Sequence, residues 1–318
     1  MNLFVSGGAG FIGSNFITML STSKPAHIEK IIVLDALTYA GNYRNIEYAL
    51  RDNRFRFVEG NICDIDLVDE LLSECDVAVN FAAESHVDRS IQSRHEFVQT
   101  NIAGTQVLLD SVIRNRLKTY VHISTDEVYG SHMDELATEE YILNPSSPYA
   151  ASKAAADLLV LSYVHTFGID ARITRSSNNY GPMQHYEKLI PKIINNLSKN
   201  EKIPIYGNGQ NIRNWIHVQD NCKAIFEVLM HGAPGEVYNI AGANEVTNVE
   251  IARILLDHMS LPESYIDFTS DRPGHDYRYG LSGEKIKKSL NFSPEINFET
   301  GLAETVEWYV KNPNWWVN

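Results

Sequence analysis

Long apolar runs, secretory features and paired cysteines are all missing from this 318-residue sequence. No apolar run approaches the ~20 residues that a membrane-spanning helix needs. The N-terminus, MNLFVSGGAG, has no basic segment followed by an apolar one, so we expect neither a membrane anchor nor a secretory signal. The three cysteines, Cys63, Cys75 and Cys222, form no CxxC pair. They predict reduced structural thiols in a cytoplasmic protein.

Positive charge is also scarce, because 27 Lys and Arg residues stand against 40 Asp and Glu residues, for a formal net charge of -13. General nucleic-acid binding needs a basic surface, so this balance argues against it. It does not exclude an anionic small molecule, which a few local arginines can hold. The sequence has no G-x-S-x-G elbow, which disfavours a serine hydrolase of that type. It has no His/Cys cluster with zinc-ligand spacing either, so we expect no metal site.

Short apolar runs alternate with amphipathic stretches through the first half of the chain. We predict buried strands at residues 3–6, 30–35, 56–58, 76–81, 120–124 and 171–174. We predict helices between them at residues 11–21, 67–74, 100–115 and 150–165. Strands and helices that alternate in this way predict an α/β fold with a parallel sheet and right-handed crossovers.

The pattern changes after about residue 175, where loops rich in Pro, Gly, Asn and Tyr begin. An apolar run at 216–218 and a helical pattern at 220–231 predict one more βα unit that returns to the first domain. Helices predicted at 248–259 and 299–311 belong to a smaller second domain. We therefore expect a first domain made of residues 1–175 plus 212–242, and a second domain made of residues 176–211 plus 243–318.

The stretch GGAGFIG at residues 7–13 follows the first predicted strand and opens the first predicted helix. Its glycines, Gly7, Gly10 and Gly13, permit a tight turn and let the backbone approach a pyrophosphate at a helix N-terminus. Asp35 ends the second predicted strand, where a carboxylate can accept both ribose hydroxyls of an adenosine. That carboxylate would repel a 2′-phosphate. The pattern therefore predicts a dinucleotide site that prefers NAD to NADP.

Tyr149 and Lys153 in SPYAASK are four residues apart, which places them on the same face of a helix. A phenol with a pKa near 10 is a poor base at neutral pH. A nearby ammonium and a positive nicotinamide favour the phenolate, which can then take a proton from a sugar hydroxyl. After a dinucleotide motif, this spacing predicts a catalytic pair rather than a solvated helix face.

Two adjacent carboxylates, Asp126 and Glu127, follow the predicted strand at 120–124 in the stretch STDEVYG. In a half-buried cleft they would repel each other and lose hydration. One interpretation is an Asx-type turn with a solvated glutamate. The other is a reaction that needs an acid and a base at neighbouring positions.

Together these stretches resemble the extended short-chain dehydrogenase/reductase family of nucleotide-sugar enzymes, and within it the 4,6-dehydratases that act on dTDP-glucose. The resemblance covers almost the whole chain. The glycine loop and the Tyr/Lys pair identify only the wider superfamily, whereas STDEVYG, EKLIPK (187–192) and DRPGHDYRY (271–279) are far more specific. The family fold is a Rossmann-type doubly wound parallel sheet with a smaller mixed α/β substrate-binding domain.

The resemblance implies an NAD-dependent hydro-lyase, which supplies dTDP-4-keto-6-deoxyglucose for a deoxysugar pathway such as rhamnose synthesis. Such an enzyme oxidises the C4 hydroxyl of a hexose, eliminates water across C5 and C6, and returns the hydride to C6. In this chain Glu127 is then the base at C5, and protonated Asp126 is the acid at C6. Thr125 holds the C4 oxygen beside Tyr149. Two carboxyl groups that share a proton titrate as a coupled pair, which keeps one of them neutral.

The resemblance also implies two sets of ligand contacts. The residues expected to bind NAD are Gly7, Gly10, Phe11, Ile12, Gly13, Asp35, Leu37, Thr38, Asn61, Ile62, Ala82, Ala83, Ser85, Thr100, Tyr149, Lys153 and Asn179. Those expected to bind the nucleotide sugar are Ser85, Thr125, Asn178, Lys188, Leu189, Arg213, Asn248, Arg272 and Tyr279. Among these, Arg213 and Arg272 match a diphosphate clamp, because guanidinium groups bind phosphate in bidentate fashion. His86 and Asp88 we interpret as loop scaffolding.

The chain departs from the family pattern near both ligands. Asn61 replaces a usual Asp, although an amide oxygen can equally accept from an adenine amino group. Tyr186 replaces a usual proline, and residues 280–282 replace a usual Ala-Ile-Asp, which affects the expected base or sugar preference more than the reaction.

Other functions remain open at this point. They are the same reaction on UDP-glucose, a UDP-glucuronate decarboxylase, a 4-epimerase, and a non-catalytic NAD-binding protein. The decarboxylases and epimerases typically have a small Ser or Ala where this chain has Asp126. Relatives pair the apolar faces of the helices near 100–115 and 150–165 across a four-helix contact, so we also expect a homodimer.

Overall fold

The computed structural model describes residues 1–316. Its strands, in chain order, are β1 (Asn2–Ser6), β2 (Lys30–Asp35), β3 (Phe55–Glu59), β4 (Val77–Asn80), β5 (Thr119–Thr125), β6 (Ala171–Ser176), β7 (Asn178–Tyr180), β8 (Ile203–Tyr206), β9 (Ile212–His217), β10 (Val237–Ile240), β11 (Asn244–Thr247), β12 (Ile266–Thr269) and β13 (Arg278–Tyr279). Its α-helices are α1 (Phe11–Ser23), α2 (Ile65–Ser73), α3 (Val87–Gln92), α4 (Arg94–Phe97), α5 (Thr105–Asn115), α6 (Pro148–Phe167), α7 (Leu189–Ser198), α8 (Val218–His231), α9 (Asn248–His258), α10 (Glu284–Leu290) and α11 (Phe298–Lys311). None of the helices within residues 1–316 is long and apolar enough to cross a membrane.

The larger sheet has seven strands in the order β10-β6-β5-β4-β1-β2-β3, and neighbouring strands are parallel throughout. The chain order reverses between β1 and β4, and ligands of open α/β sheets bind at such a switch point, beyond the carboxyl ends of the strands. The predicted α/β fold with a Rossmann-type parallel sheet is confirmed. The six strands predicted in the first half all belong to this sheet, within one or two residues of their observed ends.

Helices cover both faces of the larger sheet, and this explains why its strands are apolar runs rather than alternating patterns. On one face α1 packs against α8, with Leu20 and Ile225 buried in the same cluster. On the other face α2, α5 and α6 bury Leu72, Leu108 and Val160. Each such side chain contributes about 1.5–3 kcal/mol by leaving water.

A smaller part of the chain forms a mixed sheet in which β9 pairs with β7, β11 and β13, and a separate parallel pair of β8 and β12. Helices α7, α9 and α11 pack over these strands, with Ile193, Leu255 and Leu302 in a common core. The helices predicted at 248–259 and 299–311 are confirmed as α9 and α11.

The βα unit predicted at 216–231 is only partly correct. The helix α8 does pack on the larger sheet, against α1. The strand before it does not join that sheet, because β9 pairs inside the smaller one. The strand that returns to the larger sheet is β10, which pairs with β6 after the helix. A three-residue apolar run contains no information about which sheet edge it will meet.

The helix predicted at 100–115 is regular only from residue 105 onwards. Val98–Gly104 forms a π-helical segment that leads into α5. Its Asn101 side chain accepts a hydrogen bond from the Glu84 N–H at 2.9 Å and donates one to Ser152 Oγ at 2.8 Å. The wider turn thus links the loop after β4 to helix α6, and such π-segments frequently occur at functional sites.

Candidate active site

The loop after β1 is so tight that only glycine fits two of its positions. Gly7 has a φ of +69°, and a Cβ there would lie 2.4 Å from Ala82 N. A Cβ on Gly13 would lie 2.2 Å from Gly7 O. Gly10 is the N-cap of α1 and provides no side chain, so the N–H groups of the first helical turn stay available to an anion. The loop is therefore a backbone cradle that suits a pyrophosphate.

Asp35, the last residue of β2, lines a cavity of about 90 Å³ beside this cradle, which we call the inner cavity. Its two carboxylate oxygens accept hydrogen bonds from the N–H groups of Ala9 and Leu37, both at 2.8 Å. Burial raises the pKa of Asp35, and these backbone donors oppose the rise. Each oxygen keeps a second lone pair that can accept a ribose hydroxyl. The other predicted NAD contacts on this wall are Gly7, Gly10, Thr38, Asn61, Ile62, Ala82, Ala83 and Thr100.

A second cavity of about 240 Å³, the central cavity, shares the glycine loop with the inner one. The predicted NAD contacts on its wall are Gly7, Gly10, Phe11, Ile12, Gly13, Ala83, Ser85, Tyr149 and Asn179. The same wall contains Thr125, Asp126 and Glu127 at the end of β5. The structure therefore brings these nine expected cofactor contacts into one cavity with Thr125, Asp126 and Glu127.

Thr125 fixes the geometry of the two carboxyl groups that follow it. Its Oγ1 accepts a hydrogen bond from the Glu127 N–H at 3.3 Å and donates one to Asp126 Oδ1 at 3.2 Å. Asp126 Oδ2 and Glu127 Oε2 are buried and have no hydrogen-bond partner among the described residues. Both free oxygens lie on residues of the cavity wall, so a bound ligand can supply their partners.

Burial dominates the titration of this pair. It raises the pKa of Asp126 to about 8, and the charge of Glu127 adds to the rise. Burial also raises the pKa of Glu127, but Arg272, Lys188 and Arg213 oppose it with their positive charges. At pH 7 the site therefore holds a neutral Asp126 next to a carboxyl group that nearby cations help to ionise.

Tyr149 lies in the first turn of α6, which begins because Ser147 accepts a hydrogen bond from the Ala150 N–H at 3.1 Å. Burial and then the charge of Glu127 raise the pKa of Tyr149, while a hydrogen bond with Thr125 opposes this. The phenol is therefore protonated at neutral pH until a positive charge arrives beside it.

Lys153 lies one helical turn after Tyr149 but behind the cavity wall, with 3% of its surface exposed. Its ammonium group donates to the Ile123 carbonyl at 2.7 Å and lies 3.3 Å from His122 Nε2. Burial lowers the pKa of Lys153 to about 8, and Asp157 opposes the fall. Leu37 also lies apart from the inner and central cavities, in a left-handed conformation that packs its side chain on the core.

A third cavity, the outer cavity, has a volume of about 720 Å³ and adjoins the central one. Glu127, Asn178 and Lys188 line both of them. The predicted sugar-nucleotide contacts on its wall are Asn178, Lys188, Leu189, Arg213, Asn248, Arg272 and Tyr279, whereas Ser85 and Thr125 line the central cavity instead. The three cavities form one row, with the acid–base residues at its middle.

The two arginines of the outer cavity are held in different ways. The guanidinium carbon of Arg213 lies 4.3 Å from the centre of the Tyr279 ring, and Nη2 donates to the Asp276 carbonyl at 2.9 Å. Arg272 pairs with Asp88 through Nη1 at 3.3 Å, while its Nε is buried without a partner among the described residues. Asp88 is thus more than loop scaffolding, since it pairs with a cation on the cavity wall.

Several wall residues were not among the predicted contacts. Ala40, Gln184 and His185 line the central cavity, and Arg89, Tyr206 and His275 line the outer one. His275 occurs within DRPGHDYRY, a stretch that the resemblance had already marked. Gln184 and His185 lie in no such stretch, because only the fold brings their loop to the cavity.

The sequence also matches a known family over nearly its full length. The family model described as GDP-mannose 4,6 dehydratase matches residues 4–305. A dTDP-glucose 4,6-dehydratase from Streptomyces niveus is 49% identical over 318 residues, which cover 99% of this chain and 95% of that protein. The chain belongs to the extended short-chain dehydrogenase/reductase family of nucleotide-sugar 4,6-dehydratases. The family resemblance predicted from the sequence is confirmed.

Solved structures of similar proteins have the same fold. DesIV, a dTDP-glucose 4,6-dehydratase from Streptomyces venezuelae crystallised with NAD and TYD bound, superimposes with a TM-score of 0.97 at 48% identity, over 100% of this chain and 99% of that one. A UDP-glucose 4-epimerase from Thermotoga maritima reaches 0.90 at 26% identity, over 98% and 100% of the two chains. DesIV is therefore much more similar in sequence to this chain than the epimerase is, although all three proteins share the architecture.

Proposed function

We propose that this chain is an NAD-dependent dTDP-glucose 4,6-dehydratase, a hydro-lyase that forms dTDP-4-keto-6-deoxyglucose for deoxysugar biosynthesis. The observation that carries the proposal is the buried Asp126–Glu127 pair where the central and outer cavities meet. Loss of water across C5 and C6 needs a base at one carbon and an acid at the next, and a coupled pair of carboxyl groups supplies both. Full-length relatives that are dTDP-glucose 4,6-dehydratases support the same substrate.

The inner and central cavities fit NAD, which is present in the DesIV structure and in that of a relative from Bacillus anthracis. The backbone cradle at Gly7–Gly13 suits the pyrophosphate, and the Asp35 carboxylate suits the adenosine ribose. When bound, NAD accepts the hydride from C4 and later returns it to C6. The chain's own part is to hold the dinucleotide with the predicted wall residues, and to keep water out of the central cavity.

Tyr149 is the proposed base for the C4 hydroxyl, with Thr125 beside it to hold the same oxygen. The charge of a bound nicotinamide reverses the effect of burial on the phenol pKa, so the proton leaves when sugar and cofactor are both in place. The role proposed for Lys153 changes with its position. Because its ammonium group donates to the Ile123 carbonyl, it acts on Tyr149 through its charge from behind the wall.

Glu127 and Asp126 share the elimination. A ketone at C4 acidifies the C5 proton, which the Glu127 carboxylate takes. The C6 hydroxyl is a poor leaving group, so the neutral Asp126 donates its proton as the C–O bond breaks and water departs. The unpartnered oxygens Asp126 Oδ2 and Glu127 Oε2 are the atoms proposed to do this.

The outer cavity is the proposed site of the nucleoside diphosphate. Arg213 and Arg272 lie on its wall, and the free Nε of Arg272 leaves a charge-assisted donor for a phosphate oxygen. The Lys188 ammonium group is buried near Glu127 and assists from the side of the sugar. Leu189, Asn178, Asn248 and Tyr279 complete the proposed contacts.

The test is turnover of dTDP-glucose by the purified protein in heavy water. We expect a 6-deoxy-4-keto product that carries deuterium at C5, because Glu127 exchanges the proton that it takes. UDP-glucose, run in parallel, should be turned over less efficiently, because the full-length relatives are dTDP-glucose 4,6-dehydratases. Release of carbon dioxide from UDP-glucuronate, or a 4-epimer as the only product, would contradict the proposal.

We further propose a homodimer built on α5 and α6 and a cytoplasmic location. Leu158 and Phe167 of α6 are 58% and 57% exposed, which leaves apolar surface for a second copy. The three cysteines are free, as a reducing compartment would keep them. Light scattering should give twice the 35.9 kDa chain mass, and a monomer would contradict the dimer. Cell fractionation tests the location.

We keep the division into two domains as a proposal with one amendment. The predicted domains are residues 1–175 plus 212–242 and residues 176–211 plus 243–318. Since β9 pairs with β7, β11 and β13, we assign residues 212–217 to the smaller domain. Hydrogen exchange tests this boundary, because the amides of β9 should be protected together with those of its partner strands β7 and β11.

A further inference from the structure

Arg89 and Glu187 form a bidentate ion pair between segments 98 residues apart. Arg89 Nε lies 2.9 Å from one carboxylate oxygen of Glu187, and Nη2 lies 2.6 Å from the other. Arg89 belongs to α3, which follows β4 of the larger sheet, whereas Glu187 lies just before α7 of the smaller part. The pair therefore ties the two parts of the molecule together beside the outer cavity, whose wall includes both residues.

The same guanidinium rests on a third segment. Its central carbon lies 3.8 Å from the centre of the Tyr39 ring, in cation–π geometry. Tyr39 comes from the loop after Asp35, and its hydroxyl accepts a hydrogen bond from the Ser85 N–H at 3.5 Å. The His185 ring meets the edge of Tyr39 at 5.6 Å. Loops from both sheets thus converge on one arginine.

This cluster is directly connected to the wall of the active site. Lys188, the neighbour of Glu187, donates to the Ser85 carbonyl at 2.6 Å. Ser85 and His185 line the central cavity, and Lys188 lines both the central and the outer one. Movement of Glu187 away from Arg89 would therefore carry Lys188 away from Ser85 and open the central cavity.

Arg89 is engaged on two sides in this arrangement. Two of its donors are taken by Glu187, and its face is taken by Tyr39. The hydrogen bond from Arg89 also holds the pKa of Glu187 below its ordinary value, so the pair is charged at neutral pH. The residue therefore connects separate parts of the protein.

We propose that Arg89 and Glu187 are positioning residues that hold Tyr39, Ser85 and Lys188 over the central cavity and so keep NAD bound through the catalytic cycle. This inference rests on the proposed function. In that reaction the hydride taken from C4 is returned to C6 of the same sugar, so no net oxidant is consumed. A cofactor lost between the two transfers would leave a 4-keto sugar and an enzyme that cannot finish.

The test measures release of the cofactor without any turnover. Protein loaded with labelled NAD is mixed with excess unlabelled NAD, and exchange is followed in wild type, Arg89→Gln, Glu187→Gln and the double variant. We expect each single variant to exchange about tenfold faster, because both lose the bidentate pair, and Arg89→Gln also loses the cation–π contact with Tyr39. The double variant should exchange no faster than Arg89→Gln, since both changes break the same ion pair.

Arg253→Gln is the matched control, because Arg253 pairs with Glu263 at 3.0 Å within the smaller part, away from the cavities. It should exchange NAD at the wild-type rate. Exchange at the wild-type rate in both single variants, or additive effects in the double variant, would overturn the inference. Unfolding temperatures verify that the variants are folded.

A second measurement separates this inference from the proposed function. In steady state with dTDP-glucose, the single variants should show a raised KM, through displaced Lys188, and should inactivate progressively unless NAD is added. If wild type binds NAD but does not turn over dTDP-glucose, the proposed function fails while the exchange result stands. If turnover is normal and exchange is unchanged in the variants, only the positioning role fails.

Discussion

Replacement of Tyr149 by phenylalanine should reduce kcat by about 10³-fold, the typical contribution of a well-placed acid or base. Phenylalanine keeps the ring that lines the central cavity and that meets Phe97 at 6.3 Å, but it removes the hydroxyl that takes the C4 proton. The first step then stops, so neither the 4-keto sugar nor deuterium at C5 should form. Rapid-mixing absorbance, which reports cofactor reduction, and mass spectrometry of the sugar check this.

Tyr163→Phe is the matched control for this variant. Tyr163 lies on the same helix α6 and donates its hydroxyl to Asp110 at 2.6 Å, far from the three cavities. It should lose little or no activity. Cofactor reduction at the wild-type rate in Tyr149→Phe would show that another group takes the C4 proton.

Asp126→Asn should separate oxidation from water loss. The amide fills the same space and is neutral, as Asp126 is at pH 7, but it has no acidic proton to give to the leaving hydroxyl. We expect the elimination to slow by about 10³-fold while oxidation at C4 continues. The dTDP-4-ketoglucose should therefore accumulate and still exchange its C5 proton with heavy water through Glu127. Formation of the 6-deoxy product at the normal rate would exclude Asp126 as the acid.

The raised pKa of Asp126 also predicts how activity and stability depend on pH. Because that pKa is about 8, the acid form is lost above pH 8, and elimination by wild type should fall there. Folding raises the pKa of Asp126, so the protonated carboxyl group contributes its full stability below the unfolded value of 3.8. This contribution is lost as the pH rises from there through about 8. Asp126→Asn should therefore unfold at a higher temperature than wild type at pH 9, and at nearly the same temperature as wild type at pH 4. Asp134→Asn, in an exposed loop, is the control substitution.

The sequence was most informative for strands that helices bury on both faces of the sheet. Strands such as β1 and β5 are apolar along their length because helices cover both faces, so their place in a parallel sheet could be predicted. The glycine loop could be predicted from local geometry, since the turn at Gly7 and Gly13 leaves no room for a side chain. The short strand β9 could not be assigned, because its partners lie in distant segments.

Contacts between distant segments were the main gap at the site. The resemblance indicated Lys153 but not that its ammonium group faces the β5 backbone, which depends on how α6 packs. It also gave no sign of the Arg89–Glu187 pair, whose members lie in separate parts of the fold. Residue types and spacing predict which chemistry is present, whereas side-chain direction follows only from packing.

The path of the chain between its two sheets limits which fragments of the protein can fold alone. After β6 the chain enters the smaller sheet, returns through α8 and β10 to cover α1 and complete the larger one, and then leaves again. A fragment that ended near residue 175 would lack that edge strand and would expose the apolar side of α1. The two parts of the molecule should therefore fold and unfold together, and a gene fragment that ends near residue 175 should yield insoluble protein.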